Sequence, residues 1–282
     1  MDQMRANSLL GDTPDRDYSM KLRLFNQYAS AELRRAVQGL NLSAGMKILD
    51  AGCGTGELLS CLGESVAPTG LVWGIDLSRA HLDSARSGIG PRTAVAQADL
   101  LRPPFSPGVF DLVWSVNTLN HLANPVEGIR VLETLLQPLG RIAVGQSSLL
   151  PDMYFAWDSR LERVTNEAVR QYYRDKYNLT ERSLTSVRSL VGTLRAGGLR
   201  NVRAETSVIE RVSPTSAEDK AYLLHAIFEG TFGEKLRPYL SQDDFGELSA
   251  LCDPNNPAFA LRRADFHFIQ TFTLVVGEKG AR

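Results

Sequence analysis

The stretch Lys47-Ile48-Leu49-Asp50-Ala51-Gly52-Cys53-Gly54-Thr55-Gly56-Glu57 decides how this chain is read. Its first half is apolar, as a buried strand is. Its second half sets glycine at alternate positions, and Glu57-Leu58-Leu59-Ser60-Cys61-Leu62 then opens a helix. Glycine bends the backbone at little steric cost and lets a ligand approach the main chain. Strand, tight glycine turn and helix start together predict a nucleotide-type pocket at the end of a parallel strand.

Outward from this turn, residues 46–145 alternate strand and helix patterns. Strands are expected at Lys47–Ala51, Leu71–Asp76, Thr93–Ala98, Phe110–Ser115 and Gly140–Val144. Helices fit at Glu57–Ala67, Arg79–Ser87 and Pro125–Leu136, with a short one at Asn120–Pro125. Near-continuous apolar strands alternating with helices predict a doubly wound α/β fold, its parallel sheet covered on both faces. Before it, Asp15–Leu40 is helical, with Leu22, Phe25, Ala29, Leu33, Ala36, Val37 and Leu40 near one face. This segment is placed to cover the pocket. Tyr18 and Tyr28 are its residues best able to touch a polar ligand; the alternative is that both are half-buried helix aromatics.

After residue 145 the rhythm breaks twice. The expected organisation is an N-terminal helical lid (1–45, its first 14 residues a mobile tail), a core (46–145) and a cap insert (146–181). A core continuation (182–212), a second cap insert (213–263) and a last strand with tail (264–282) follow. Helices are expected at Arg160–Tyr177, Arg182–Ala196, Ser216–Glu229 and Gln242–Leu251, and strands at Asn201–Val212 and Ala264–Gly277.

Composition narrows the function. Lys+Arg is 31 and Asp+Glu is 32, so no dominant basic field favours nucleic acid. Three cysteines without framework spacing suggest reduced thiols, and no four-ligand metal pattern appears. The polar N-terminus lacks a signal core, and no apolar run approaches a membrane span. The expectation is a cytoplasmic monomer or homodimer that acts on a small molecule, with no nucleic-acid, membrane or metal partner.

The glycine spacing limits the nucleotide. A dinucleotide fingerprint needs glycine at the sixth position from Gly52, which is Glu57. A carboxylate at Asp50 also disfavours a pyrophosphate and suits a cationic ammonium or sulfonium ligand. Ile48-Leu49-Asp50-Ala51-Gly52-Cys53-Gly54-Thr55-Gly56 resembles the first motif of class I S-adenosylmethionine-dependent methyltransferases. Asp76 at the second strand end, Ala98-Asp99-Leu100, Phe110–Ser115 with Leu119-Asn120-His121-Leu122, and Leu139-Gly140-Arg141-Ile142 resemble later motifs in the same order.

The resemblance implies a Rossmann-like seven-stranded sheet with its last strand antiparallel, and S-adenosyl-L-methionine as cofactor, released as S-adenosyl-L-homocysteine. It implies that Gly52, Gly54 and Gly56 shape the loop around the methionine part and that Asp50 supports the ammonium group. The alternative for Asp50 is a loop-bracing carboxylate without ligand contact. Asp76 with Leu77 is implied at the ribose, and Asp99 with Leu100 at the adenine. Ser115 and Tyr28 complete the expected cofactor set. Asp111 reads as a brace for its strand start.

Methyl transfer from a sulfonium needs alignment in a dry pocket, and a base only where the acceptor is a hydroxyl or an acidic carbon. His121, after the fourth strand, and His225, on the Ser216–Glu229 helix, are the candidate bases; structural pairing and packing are the alternatives. His81 reads as a surface residue and His267 as core or edge packing. Asn117 and Gln146 end strands where substrate would lie. Aromatic and apolar residues in the inserts (Met153, Tyr154, Phe155, Trp157, Tyr172, Tyr173, Phe228, Phe232) suit an apolar or aromatic metabolite of specialised metabolism, or form the inserts' own core. Methylation of RNA or protein, and non-methyl-transfer chemistry on the same cofactor, stand as alternatives.

Overall fold

A computed structural model describes residues 19–148, 154–155, 157–179 and 186–281. The expected tail (residues 1–14), Tyr18 and Met153 lie outside the described residues, as do the side chains of Tyr154 and Phe155.

The helical segment before the sheet is two helices, α1 (Ser19–Tyr28) and α2 (Ser30–Gln38), rather than one. The chain turns at Ala29, where φ is −96° and ψ is 12°. Phe25, Tyr28, Leu33 and Val37 are all buried, so the turn lets each helix lay its own apolar face on the protein.

The core follows as β1 (Lys47–Ala51), α3 (Glu57–Val66), β2 (Leu71–Asp76), α4 (Arg79–Ala85), β3 (Thr93–Gln97) and β4 (Phe110–Val116). Next come α5 (Pro125–Leu135), β5 (Leu136–Ser147), β6 (Tyr154–Phe155), α6 (Ser159–Tyr177), α7 (Ser186–Ala196) and β7 (Arg200–Val212). The chain ends with α8 (Ala217–Tyr222), α9 (Gln242–Cys252) and β8 (His267–Glu278). Local chemistry sets several helix starts. Ser78 accepts from His81 N–H ahead of α4, and Asn124 accepts from Glu127 N–H with Pro125 in the first turn of α5. Ser216 and Asp219 form a capping box on α8.

The sheet runs β3-β2-β1-β4-β5-β8-β7, with β6 pairing Phe268 and Ile269 of β8. β1 to β5 are parallel and β8 is antiparallel to both β5 and β7. The expected seven-strand order with an antiparallel last strand is therefore present, with the two-residue β6 added. β5 is longer than its apolar centre suggested, because β4 and β8 pair with it on both sides. Alternate residues serve two cores. Ile48, Leu112 and Trp114 join α1 to α3 on one face, and Leu49, Val113 and Ile142 join α5 and α7 on the other.

Beyond β7 the expected Ser216–Glu229 helix changes pitch. α8 ends at Tyr222 and a wider π turn covers Leu223–Phe228. Leu223, Ala226, Ile227 and Phe228 are all buried there, and the wider turn brings this crowded set to one side. A 3-10 turn at Glu234–Tyr239 and another at Ala260–Arg262 complete the segment.

One charged cluster joins α1, α2, β7 and α8. Arg211 bridges Glu32 at 3.2 Å and Asp219 at 2.7 Å, and it donates to the Tyr28 carbonyl. Its guanidinium also lies 4.6 Å from the centre of the Tyr28 ring. Among the described residues no helix is long and apolar enough to cross a membrane.

Candidate functional site

β1 ends at the middle of the sheet, between β2 and β4, where the crossovers to the two sides diverge and leave a crevice. The glycine turn fills its mouth. Gly52, Gly54 and Gly56 have φ of 85°, 54° and 86°. Gly52 and Cys53 both donate N–H to the Ile75 carbonyl, at 2.8 and 2.9 Å. Gly54 N–H donates to Asp76 Oδ2 at 2.9 Å. The turn is thus strapped to the end of β2. A Cβ on Gly52 would fall 2.3 Å from Thr118 Oγ1, and one on Gly56 would fall 2.8 Å from Ala85 Cβ. Only bare backbone fits there.

Asp50 lies beneath this turn, 4% exposed. Burial, and then the nearby charges of Asp76 and Glu57, push its carboxyl up to about 8. Without a cation beside it, Asp50 is a neutral acid at pH 7. A cationic ligand reverses that preference, so binding below pH 8 releases a proton. The affinity for S-adenosylhomocysteine is expected to rise about tenfold per pH unit up to about pH 8 and then level off. Calorimetry in buffers of different ionisation enthalpy counts the proton, and Asp50→Asn should flatten the profile. A flat wild-type profile would remove Asp50 from ligand contact. The sign for stability is opposite. The folded value lies above the unfolded one, so ligand-free stability falls as pH rises from about 4 to about 8.

Asp76 joins the end of β2 to the glycine turn and to α4. Its Oδ1 accepts from Ser78 N–H at 2.8 Å and lies 3.2 Å from His81 Nδ1, while Oδ2 holds Gly54. An acceptor position on Oδ2 remains. His81 is buried, contrary to the surface position read from its helix, because it packs back onto Asp76. Ala98 N–H bonds the Asp76 carbonyl at 3.1 Å, which brings Asp99 and Leu100 alongside. Asp99 Oδ1 accepts from Leu101 N–H at 2.9 Å, and the Leu77 carbonyl accepts from Gln97.

A recess opens at the glycine turn, lined by Asp50, Gly52, Cys53 and Gly54 with Leu58, Trp114, Val116 and Asn117. Leu22 and Asn26 of α1 form its remaining wall. Asn26 Nδ2 donates to Glu57 at 2.9 Å, and Thr55 Oγ1 donates to the same carboxylate. Residues four apart on α1 therefore dock it onto the start of α3. The Trp114 Nε1–H is buried and has no hydrogen-bond partner among the described residues.

Several expected residues lie elsewhere. Tyr28 does not line the recess; its ring stacks on Tyr222 at 4.2 Å in the buried layer between α1 and α8. The helix does reach the site, but through Leu22 and Asn26, which the apolar stripe concealed. Ser115 is fully buried and donates to the Ala51 carbonyl at 2.7 Å, so its side chain braces β4 against β1. His225 is 43% exposed and pairs with Glu229 at 2.9 Å, away from the recess lining. His267 pairs with Glu210 at the sheet edge. Asp111 accepts from Lys47 N–H at 2.7 Å and holds the start of β1. His121 stands on the turn after β4. Burial, acting against the Asp76 charge and with that of Lys21, lowers its pKa and keeps the imidazole neutral. Asn117, at φ 52°, accepts from Ser147 N–H and Oγ and so ties the ends of β4 and β5 together.

Residues 48–140 match the model of a family described as a methyltransferase domain. They form a class I S-adenosylmethionine-dependent methyltransferase domain. Methyltransferase GfsG of Streptomyces halstedii is 32% identical over 110 residues, 37% of this chain and 39% of that protein. The 27-O-demethylrifamycin SV methyltransferase of Amycolatopsis mediterranei is 32% identical over 117 residues, 40% of this chain and 42% of that protein. A ubiquinone/menaquinone biosynthesis C-methyltransferase, UbiE, of Cupriavidus metallidurans is 31% identical over 107 residues, 37% of this chain and 44% of that protein. The chain thus spans about two-fifths of the length of the curated relatives it matches. Among solved structures, the [4+2]-cyclase SpnF shares the fold at TM-score 0.51 and 17% identity, over 98% of this chain and 88% of that one. A Haemonchus contortus phosphoethanolamine N-methyltransferase bound to S-adenosyl-L-methionine does so at TM-score 0.53 and 17% identity, over 95% and 59%.

The residues of this methyltransferase domain fit the family's cofactor. The turn lines the recess through Gly52, Cys53 and Gly54, and a Cβ at Gly52 would clash with Thr118. Asp50 is a buried acid whose charged form calls for a cation, and Asp76 ends β2 while Asp99 follows β3. S-Adenosylmethionine carries a cationic sulfonium and ammonium, the charge that Asp50 calls for.

Proposed function

We propose that this chain is an S-adenosylmethionine-dependent methyltransferase of a small apolar or aromatic metabolite, working in specialised metabolism. The carrying observation is the glycine cradle over buried Asp50, closed on one side by Leu22 and Asn26 of α1. Two relatives' names support the acceptor class: one acts on a demethylrifamycin and one belongs to quinone biosynthesis. In this reading α1, α2 and the segments around α6, α8 and α9 form the cap over the core. Their aromatic residues pack on one another, Trp157 on Phe232 at 5.7 Å and Phe228 on Phe259 at 6.1 Å, as the frame of an apolar chamber.

When bound, S-adenosylmethionine supplies a methyl group already activated by its sulfonium. The protein has to align the acceptor with that carbon and keep water out. Leu22, Leu58, Trp114 and Val116 provide the dry wall. His121 is the proposed base for a hydroxyl or acidic-carbon acceptor, because burial keeps its ring neutral and able to take a proton. His225, exposed and paired with Glu229, has no part in this reading.

The test is a mass-resolved search for a metabolite that gains one methyl group only when protein and cofactor are both present. Quinols, phenols and the hydroxyl of a demethylrifamycin are the first acceptors to try. Cofactor turnover without any methylated product would overturn the reading. A sharper check addresses Asp76. Asp76→Ala removes the ligand's ribose acceptor and the strap on Gly54 together, so S-adenosylhomocysteine should bind about 100-fold more weakly. Unchanged calorimetric affinity would exclude Asp76 from the site.

A further inference from the structure

Asp50 and Trp114 are direct partners in the parallel ladder between β1 and β4. Each is one residue on from a neighbour that faces the other core, Leu49 and Val113, so their side chains stand side by side on one face. Both line the recess under the glycine turn. Trp114 is fully buried and Asp50 nearly so. Yet among the described residues the Trp114 Nε1–H donates to neither Asp50 nor any other group. A buried donor without an acceptor destabilises the fold unless something outside the chain completes it.

From this pairing we infer that Trp114 and Asp50 together recognise the zwitterionic α-amino-acid end of the cofactor, with Asp50 accepting from its ammonium and the Trp114 indole N–H donating to its carboxylate. Two adjacent strands would then present one donor and one acceptor to a group that carries both complements. The inference rests on the cofactor reading above and deepens it by naming a residue that reads the carboxylate. It also explains why a tryptophan stands where a purely apolar core position would take leucine. The ring packs in the core that α1 covers.

The test uses three ligands on the full-length protein, by calorimetry. S-Adenosylhomocysteine carries both charged groups, its decarboxylated amine S-adenosyl-3-thiopropylamine keeps only the ammonium, and methylthioadenosine has neither. Trp114→Phe should weaken S-adenosylhomocysteine about 10- to 100-fold, as expected for losing a hydrogen bond to a charged group, and leave the other two within about twofold. Asp50→Asn should weaken the first two and spare methylthioadenosine. If Trp114→Phe weakens all three ligands equally, the ring acts by shape and the assignment is wrong. If it weakens none, the indole does not reach the ligand. Wild-type protein that binds none of the three would instead overturn the cofactor reading itself. A second measurement needs no variant. Of the three indole N–H signals of the wild-type protein, one should move downfield with S-adenosylhomocysteine and stay in place with the decarboxylated amine. Movement of that signal with both ligands, or with neither, would overturn the carboxylate contact.

Discussion

Gly52→Ala is expected to weaken the binding of S-adenosylhomocysteine by roughly 30- to 5,000-fold. Two effects act on one atom. The backbone at Gly52 has φ +85°, a region where a Cβ costs roughly 1–2 kcal/mol. The new methyl would also stand 2.3 Å from Thr118 Oγ1, 2.4 Å from its Cγ2 and 2.8 Å from its Cβ. Thr118 does not yield freely, because its hydroxyl donates to the Val116 carbonyl at 2.9 Å. Overpacking of this kind adds about 1–3 kcal/mol. The turn can relieve the clash only by leaving Thr118, which pulls Gly52 and Cys53 off the Ile75 carbonyl and Gly54 off Asp76. A combined loss of about 2–5 kcal/mol corresponds to roughly 30- to 5,000-fold in affinity. The double variant Gly52→Ala/Thr118→Ala removes the clash but keeps the φ strain, so it should recover part of the loss. Wild-type affinity in the single variant would show that the turn is not the binding site.

The second large effect is on stability. Arg211→Met is expected to lower the unfolding free energy by about 3–5 kcal/mol, read as a lower urea midpoint. The reason is the partner left behind. Glu32 is only 5% exposed and relies on Arg211 at 3.2 Å, with Arg35 as a second and more exposed contact. Without the guanidinium a buried carboxylate loses its main counter-charge, and the Tyr28 carbonyl and ring lose a donor and a stacked cation. Arg211→Lys keeps the charge but not the fork that serves Glu32, Asp219 and Tyr28 together, so it should recover only part. The pair Glu32→Gln/Arg211→Met removes both charges and should be more stable than Arg211→Met alone. An unchanged midpoint in Arg211→Met would show that α1 and α2 hold to the core without this clamp.

The two variants also show what could be read in advance. Gly52 was legible because a turn is a local event: glycines at fixed offsets after an apolar strand are enough to require positive φ. The five core strands were legible for the same reason, since their apolar runs are continuous and their ends are marked by turns. The Arg211 clamp was not legible. It joins residues 179 positions apart, and nothing near Arg211 in sequence distinguishes it from Arg200 or Arg203. The break at Ala29 and the π turn at Leu223–Phe228 escaped for a related reason. A helical period continues through both, and only the surfaces they pack against require a change of direction or pitch.

The site divides along the same line. The sequence by itself determined the parallel α/β core, the glycine turn after β1, and the acids at positions 50, 76 and 99, because each follows from residues close together along the chain. Only the tertiary structure decided which side chains meet at the turn. It took Tyr28 into a stack with Tyr222 and brought Leu22 and Asn26 to the recess instead. It turned the Ser115 hydroxyl into the sheet and set Trp114 beside Asp50 across a strand pair. Strand order and helix docking fix those neighbours, and both depend on burying apolar surface between segments distant in sequence, a cooperative balance that no short stretch of residues contains.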